Sequence, residues 1–151
     1  MSRQSLVPTR DPADYTFTHR LRTRFAETDA MGIIHHAAYL PYLEEARVEY
    51  LRAIGHPYDA LRGGEAAEAR DFPVLEISVQ YRQPLRFDEE VAVSLRVGAI
   101  RGATFQIAYL LAVGSEARAT AVSVHGCVDG AGRPARLPAW FGQSAAGRNG
   151  G

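Results

Sequence analysis

Residues 25–54 read F-A-E-T-D-A-M-G-I-I-H-H-A-A-Y-L-P-Y-L-E-E-A-R-V-E-Y-L-R-A-I, and the two halves of this stretch differ in character. The first half is a turn-forming loop in which Asp29 precedes Gly32 by three residues. The second half predicts an amphipathic helix. Tyr39, Leu43, Ala46, Tyr50 and Ile54 recur at spacings of three or four and form one apolar stripe. Leu40, Arg47 and Leu51 flank the stripe, and Glu44, Glu45, Glu49 and Arg52 face outward. Gly55 follows the last periodic residue, where a helix C-terminus needs positive φ, and Pro57 blocks continuation. Pro41 lacks an N–H and fits only the first turn, so the helix starts within a residue or two of Ala37. The loop therefore delivers Asp29, His35 and His36 to the helix end whose N–H groups are free.

Working outward, the chain has 151 residues, which suits a single domain able to bury most of its unfolded surface. Seventeen basic and seventeen acidic residues balance, so no overall field draws the protein to nucleic acid. A lone cysteine, Cys127, excludes an internal disulfide and fits a reducing cytoplasm. The first residues show no apolar core of a signal peptide, and no apolar run approaches the ~20 residues of a membrane helix. A soluble, cytoplasmic protein is expected.

Residues 1–14, with two prolines and no periodicity, read as a loose, flexible arm. From Tyr15 to Phe25 the chain alternates, with Phe17, His19, Leu21, Thr23 and Phe25 on a buried face and Arg20, Arg22 and Arg24 opposite. After the helix, Tyr58 to Leu61 allows a short helical turn that Gly63-Gly64 breaks. Alternation resumes at Leu75, Ile77, Val79 and Tyr81, and Pro84 marks a bulge or an edge. Strands then follow at Val91–Val97, Phe105–Val113 and Ala119–Val128, joined by turns at Ile100–Ala103 and Gly114-Ser115. A single domain over 15–143 and a disordered Gly/Ala/Ser-rich tail over 144–151 complete the chain. Strand, long helix, then strands in succession make an α+β plan with a mainly antiparallel sheet packed on the helix.

The run D-A-M-G-I-I-H-H-A-A-Y, followed by Y-L-E-E-A-R-V-E-Y-L, resembles the 4-hydroxybenzoyl-CoA thioesterase and YbgC-like family of hotdog-fold acyl-CoA thioesterases. That family carries D-x-x-G-[IV]-[IV]-x-[HYF]-x-x-Y before its central helix. Asp29, Gly32, Ile33, Ile34, His36 and Tyr39 fill those places in order, and the likeness extends more weakly from about Phe17 to Pro138. The resemblance implies a hotdog fold, a sheet wrapped around one long central helix. It also implies an acyl-CoA substrate, a homodimer or homotetramer with sites at subunit boundaries, and no metal or cofactor.

Each site residue has a plain reading beside the one the family implies. Asp29 suits an Asx turn closed by Gly32; the resemblance makes it the general base or the nucleophile for a thioester carbonyl. His36 suits a helix end; the resemblance makes its backbone N–H the donor that polarises the carbonyl. Gly32 would let the backbone approach the acyl group, and Tyr39 either lines the acyl pocket or is core. Arg101 and Thr104 match the family's places for the CoA phosphates. Pro84 departs from relatives that have a hydroxyl residue there for the attacking water. Ser123 and His125 share a strand face, and nothing in the sequence marks them as a pair. A hotdog hydratase would need an acid–histidine pairing the sequence lacks, whereas a non-catalytic acyl-CoA or acyl-carrier-protein binding dimer stays open.

Overall fold

A computed structural model describes residues 1–141; the tail expected over 144–151, and the expected domain end at 143, lie outside the described residues. The regular elements are β1 (Phe17–Arg22), α1 (Tyr39–Ala53), α2 (Tyr58–Arg62), β2 (Val74–Tyr81), β3 (Glu90–Arg101), β4 (Thr104–Val113) and β5 (Glu116–Gly126). The strands form one antiparallel sheet in the order β1-β3-β4-β5-β2, with α1 across one face. This is the α+β, hotdog architecture expected, with the helix held inside the curl of the sheet.

The apolar stripe explains the packing. Tyr39, Leu43, Ala46 and Tyr50 are buried against Val93, Leu95, Ile107, Tyr109 and Ala121, which alternate along the facing strands. Leu43 is fully buried, and a side chain of that size contributes about 1.5–3 kcal/mol when removed from water. Pro41 occupies the third residue of α1, and Gly55 has φ 88° just past its end, as both residue types require.

Three expectations are corrected. β1 ends at Arg22: Thr23 donates its hydroxyl to the Arg86 carbonyl (2.6 Å), and the chain then enters a 3-10 turn, Phe25–Glu27. Phe25 is thereby 74% exposed, its ring edge on Phe87, instead of lying on the strand's buried face. The expected turn at Ile100–Ala103 is shorter, because β3 runs on to Arg101 after an irregularity at Ala99 (φ 48°). The arm, expected to be loose, lies across the outer face of the sheet. Its anchors are hydrogen bonds of its backbone to Gln106, Glu76 and Arg96, which carry no periodic signal.

Residues 82–89 take the chain from β2 at one edge back to β3 beside the other edge. Arg82 and Gln83 both donate their backbone N–H to the Arg118 carbonyl, and the Arg118 guanidinium donates to the Pro84 carbonyl (2.7 Å). Arg118 also pairs with Glu89 (2.8 Å) and with Glu116. This mostly buried cation therefore fixes the crossing segment on β5, close to the start of α1.

Candidate active site

The Asp29 loop is an Asx turn. Asp29 Oδ1 accepts the N–H of Met31 (2.9 Å) and of Ile33 (3.4 Å), the Asp29 N–H is donated to the Ile33 carbonyl (2.8 Å), and Gly32 adopts φ 78°. The same pattern recurs on the far surface, where Asp129 Oδ1 accepts from Ala131 and Arg133 and Gly132 has φ 81°. The turn alone therefore does not mark a catalytic acid. Asp29 and Asp129 each keep a second oxygen that accepts no hydrogen bond among the described residues, and what sets Asp29 apart is the concave surface it shares with His36, Tyr39, Tyr81 and Pro84.

The helix start is built from both sides. His35 Nδ1 accepts the Ala37 N–H (3.1 Å), capping a 3-10 turn over His36–Ala38 that runs straight into α1. The rings of His35 and His36 stack with centroids 4.2 Å apart. The His36 N–H has no acceptor among the described residues, as expected for the first turn of a helix. The His36 carbonyl accepts the Tyr81 hydroxyl (2.8 Å), whose ring stands edge-on to Tyr39. Leu85 then ties loop to helix: its N–H is donated to the Tyr39 hydroxyl (3.2 Å), and its carbonyl accepts the Ile34 N–H (2.7 Å). Glu27 adds a second tie, accepting the Tyr42 hydroxyl at 2.6 Å.

Asp29, His36 and Tyr39 thus come together, with Gly32 in the same loop. Tyr39 is 2% exposed and its hydroxyl is engaged, so it is both wall and core. Arg101 and Thr104 lie elsewhere within the chain, in a groove on the outer sheet face with Arg3, Ser5 and Gln106. Sequence reasoning missed Tyr81 and Arg118. Tyr81, which alternation puts on one strand face with Ile77 and Val79, is 49% exposed at the end of β2. A single arginine between Ala117 and Ala119 was the available signal for Arg118.

Ser123 and His125, left unpaired by sequence reasoning, are hydrogen-bonded at 2.7 Å, yet both are buried. Arg47 donates to the Tyr109 hydroxyl (3.2 Å), which meets Ser123 (2.7 Å), and His125 Nδ1 meets the Phe72 carbonyl (3.1 Å). A carbonyl can only accept, so Nδ1 carries the proton and Nε2 accepts from Ser123. The adjoining cavity measures about 20 Å³, room for about one water molecule. No substrate fits there, and the Ser–His pair is a core network.

Burial pushes His125 down to about 4, and the Arg47 charge adds to this against the Phe72 carbonyl. Between about 6.5 and about 4 the unfolded chain binds a proton that the folded chain refuses. Stability present at neutral pH should therefore decline as pH falls through that window, by at most about 3.5 kcal/mol at roughly 1.4 per unit. Melting curves across the window should show this slope, and His125→Gln should lack most of it.

Among the described residues, no three His, Cys, Asp or Glu side chains are grouped to hold a metal ion. No helix among them is long and apolar enough to cross a membrane.

The family model of the thioesterase-like superfamily matches residues 23–144. A provisionally named esterase of Aquifex aeolicus is 37% identical over 95 residues, 63% of this chain and 71% of that one. The acyl-CoA thioesterase YbgC of Haemophilus influenzae is 31% identical over 91 residues, 60% of this chain and 65% of the other. A solved Thermus thermophilus thioesterase, complexed with coenzyme A and Zn, is similar with TM-score 0.75 and 25% identity, over 91% of this chain and 97% of that one.

Proposed function

The chain belongs to the thioesterase-like superfamily, and from that premise we propose that it hydrolyses an acyl-CoA thioester, with Asp29 and the start of α1 as its reactive parts. The observation that carries this reading is the shared concave surface of Asp29 and His36, with one carboxylate oxygen and one helix-start N–H that have no partner among the described residues. The thioester oxygen accepts the His36 N–H, and the dipole of α1 supports the charge that develops on it. Asp29 either draws a proton from an attacking water or attacks the carbonyl itself, forming an anhydride that water then opens. On both routes the C–S bond breaks, and acid and CoA are released. Tyr81, bonded to the His36 carbonyl, holds the His36–Ala37 peptide, the one that follows the donating N–H.

Purified protein incubated with a panel of aromatic and aliphatic acyl-CoAs and a free-thiol reagent tests the reading. Release of CoA supports a hydrolase. Tight binding of acyl-CoA without release would instead make the protein a binding dimer.

The second half of the site comes from a second copy. β2 pairs with β5 on one side and is open on the other. We infer isologous pairing along that open side. In such a twofold pair the Val74 end of the partner's β2 lies beside Tyr81. The partner's Gly126 and its β3–β4 turn follow, as the pairs Thr104↔Gly126 and Arg101↔Thr104 require. Three strand spacings, ~14 Å, then separate the Asp29 groove from that turn, within reach of an extended pantetheine arm. Arg101→Ala should accordingly raise KM for acyl-CoA about three- to tenfold, and kcat should change far less, since a phosphate contact serves ground and transition states alike. Steady-state kinetics at several salt concentrations check this; a KM unmoved at low salt removes Arg101 from the site.

A further inference from the structure

The arm that crosses the outer sheet face is held by a purpose-built clasp. Gly98 on β3 and Gln106 on β4 are directly opposed in the ladder and share that face. Gln106 is 7% exposed, and its amide faces the arm: Oε1 accepts the N–H of Ser5 (2.9 Å) and Leu6 (3.0 Å), and Nε2 donates to the Arg3 carbonyl and Ser5 Oγ (both 3.0 Å). Leu6 fills the space above Gly98, where an added Cβ would stand 3.0 Å from its Cδ1. Further out, Ser78 Oγ donates to Gln4 Oε1 (2.9 Å) and Arg96 donates to the Val7 carbonyl (2.9 Å).

The clasp fixes the backbone of Arg3, and its guanidinium makes no hydrogen bond or close ion pair among the described residues, though its charge is felt by Glu76. Arg3 shares a groove with Arg101 and Thr104, and neither arginine forms an ion pair among the described residues. The Glu76 carboxylate accepts the Ser2 hydroxyl (2.5 Å) and the Arg3 backbone N–H (2.9 Å) and makes no close ion pair with the Arg3 guanidinium among the described residues. Elsewhere on the sheet the exposed arginines Arg20 and Arg22 meet Glu90 and Asp88. Two arginines that line one groove and form no close ion pair among the described residues supply the charge and bidentate donors that a phosphorylated ligand needs.

We propose that Arg3, positioned by the Gln106–Gly98 clasp, joins Arg101 in binding the phosphates at the nucleotide end of CoA. The identity of the ligand rests on the hydrolase reading and on pairing along β2, which puts this groove of one copy beside the Asp29 groove of the other. The chemistry of the groove does not rest on either. Arg3 supplies charge and bidentate donors at a distance from the reacting bond. It contributes to affinity and leaves the reactive groups untouched.

Calorimetric titration of the full chain with 3′-phosphoadenosine 5′-diphosphate, the nucleotide portion of CoA, tests the groove apart from turnover. Arg3→Ala should weaken binding about five- to tenfold at low salt, with Arg3→Lys in between. Gln106→Leu should weaken it too, though Arg3 is intact, and a melting curve establishes that this variant is folded. Equal affinity of wild type and Arg3→Ala overturns the proposal. So does inorganic phosphate displacing the nucleotide at equal concentration, which would make the groove a site for free phosphate. A protein that binds the nucleotide through Arg3 yet releases thiol from no acyl-CoA supports the groove and overturns the hydrolase reading. One that hydrolyses acyl-CoA with Arg3 irrelevant to affinity does the reverse.

Discussion

Asp29→Asn should lower kcat for acyl-CoA hydrolysis by about 10²–10⁴ while leaving CoA affinity and melting temperature nearly unchanged. The geometry makes this substitution unusually clean. Oδ1 holds the turn by accepting from Met31 and Ile33, and an asparagine carbonyl accepts the same two bonds. What disappears is the charge and basicity of the group, on which both the general-base and the nucleophilic routes depend. Asp129→Asn is the internal control, because its loop has the same bonds and lies away from the groove. If both variants lose stability equally and Asp29→Asn still keeps more than about a tenth of wild-type kcat, Asp29 is only a turn residue.

Proline at Ser78 or Val79 should abolish dimerisation and hydrolysis together. N–H groups of an edge strand alternate between the paired and the open side, so one of these two neighbours donates to β5 and the other faces outward. Proline at the outward position removes a backbone donor only from the pairing between copies, and at Ser78 the substitution also removes the hydroxyl that donates to Gln4. At the inward position it also breaks the ladder within one chain and costs about 3 kcal/mol or more of stability, to judge from other interior prolines. The two variants should therefore differ in melting temperature and agree in activity. Light scattering and the thiol assay decide the matter: a monomer with full activity would exclude a site shared between copies.

How legible this was depends on the range of the interactions concerned. The helix from Tyr39, its proline in the first turn and its glycine end follow local rules, and the structure has them where those rules put them. The alternating strands were equally readable, since one face of each meets α1. Phe25 defeated the pattern because alternation continues through Thr23, and only the hydroxyl of Thr23 bonding across to Arg86 turns the chain away. The arm was unreadable for a related reason. Its partners, Gln106 and Glu76, lie about a hundred and about seventy residues away, and it uses backbone groups that every sequence has. The Asp29 site was recognisable only through the resemblance, because its turn is repeated at Asp129. Tyr81 and Arg118 enter the neighbourhood through tertiary contacts that no periodicity encodes.

Leu85 sits between the Asp29 loop and the start of α1 and is bonded to each, through its carbonyl and its N–H. The Asp29 loop and the start of α1, to which the proposed hydrolysis assigns the reactive groups, are therefore tied through one residue, and a change that moved one would disturb the other. Variation is cheap only on the opposite wall, at Arg82 and Gln83 and whatever a second copy brings there. On the proposed hydrolysis, a lineage built on this frame would exchange one acyl group for another by altering that wall, with the Asp29 loop and helix start still joined by Leu85.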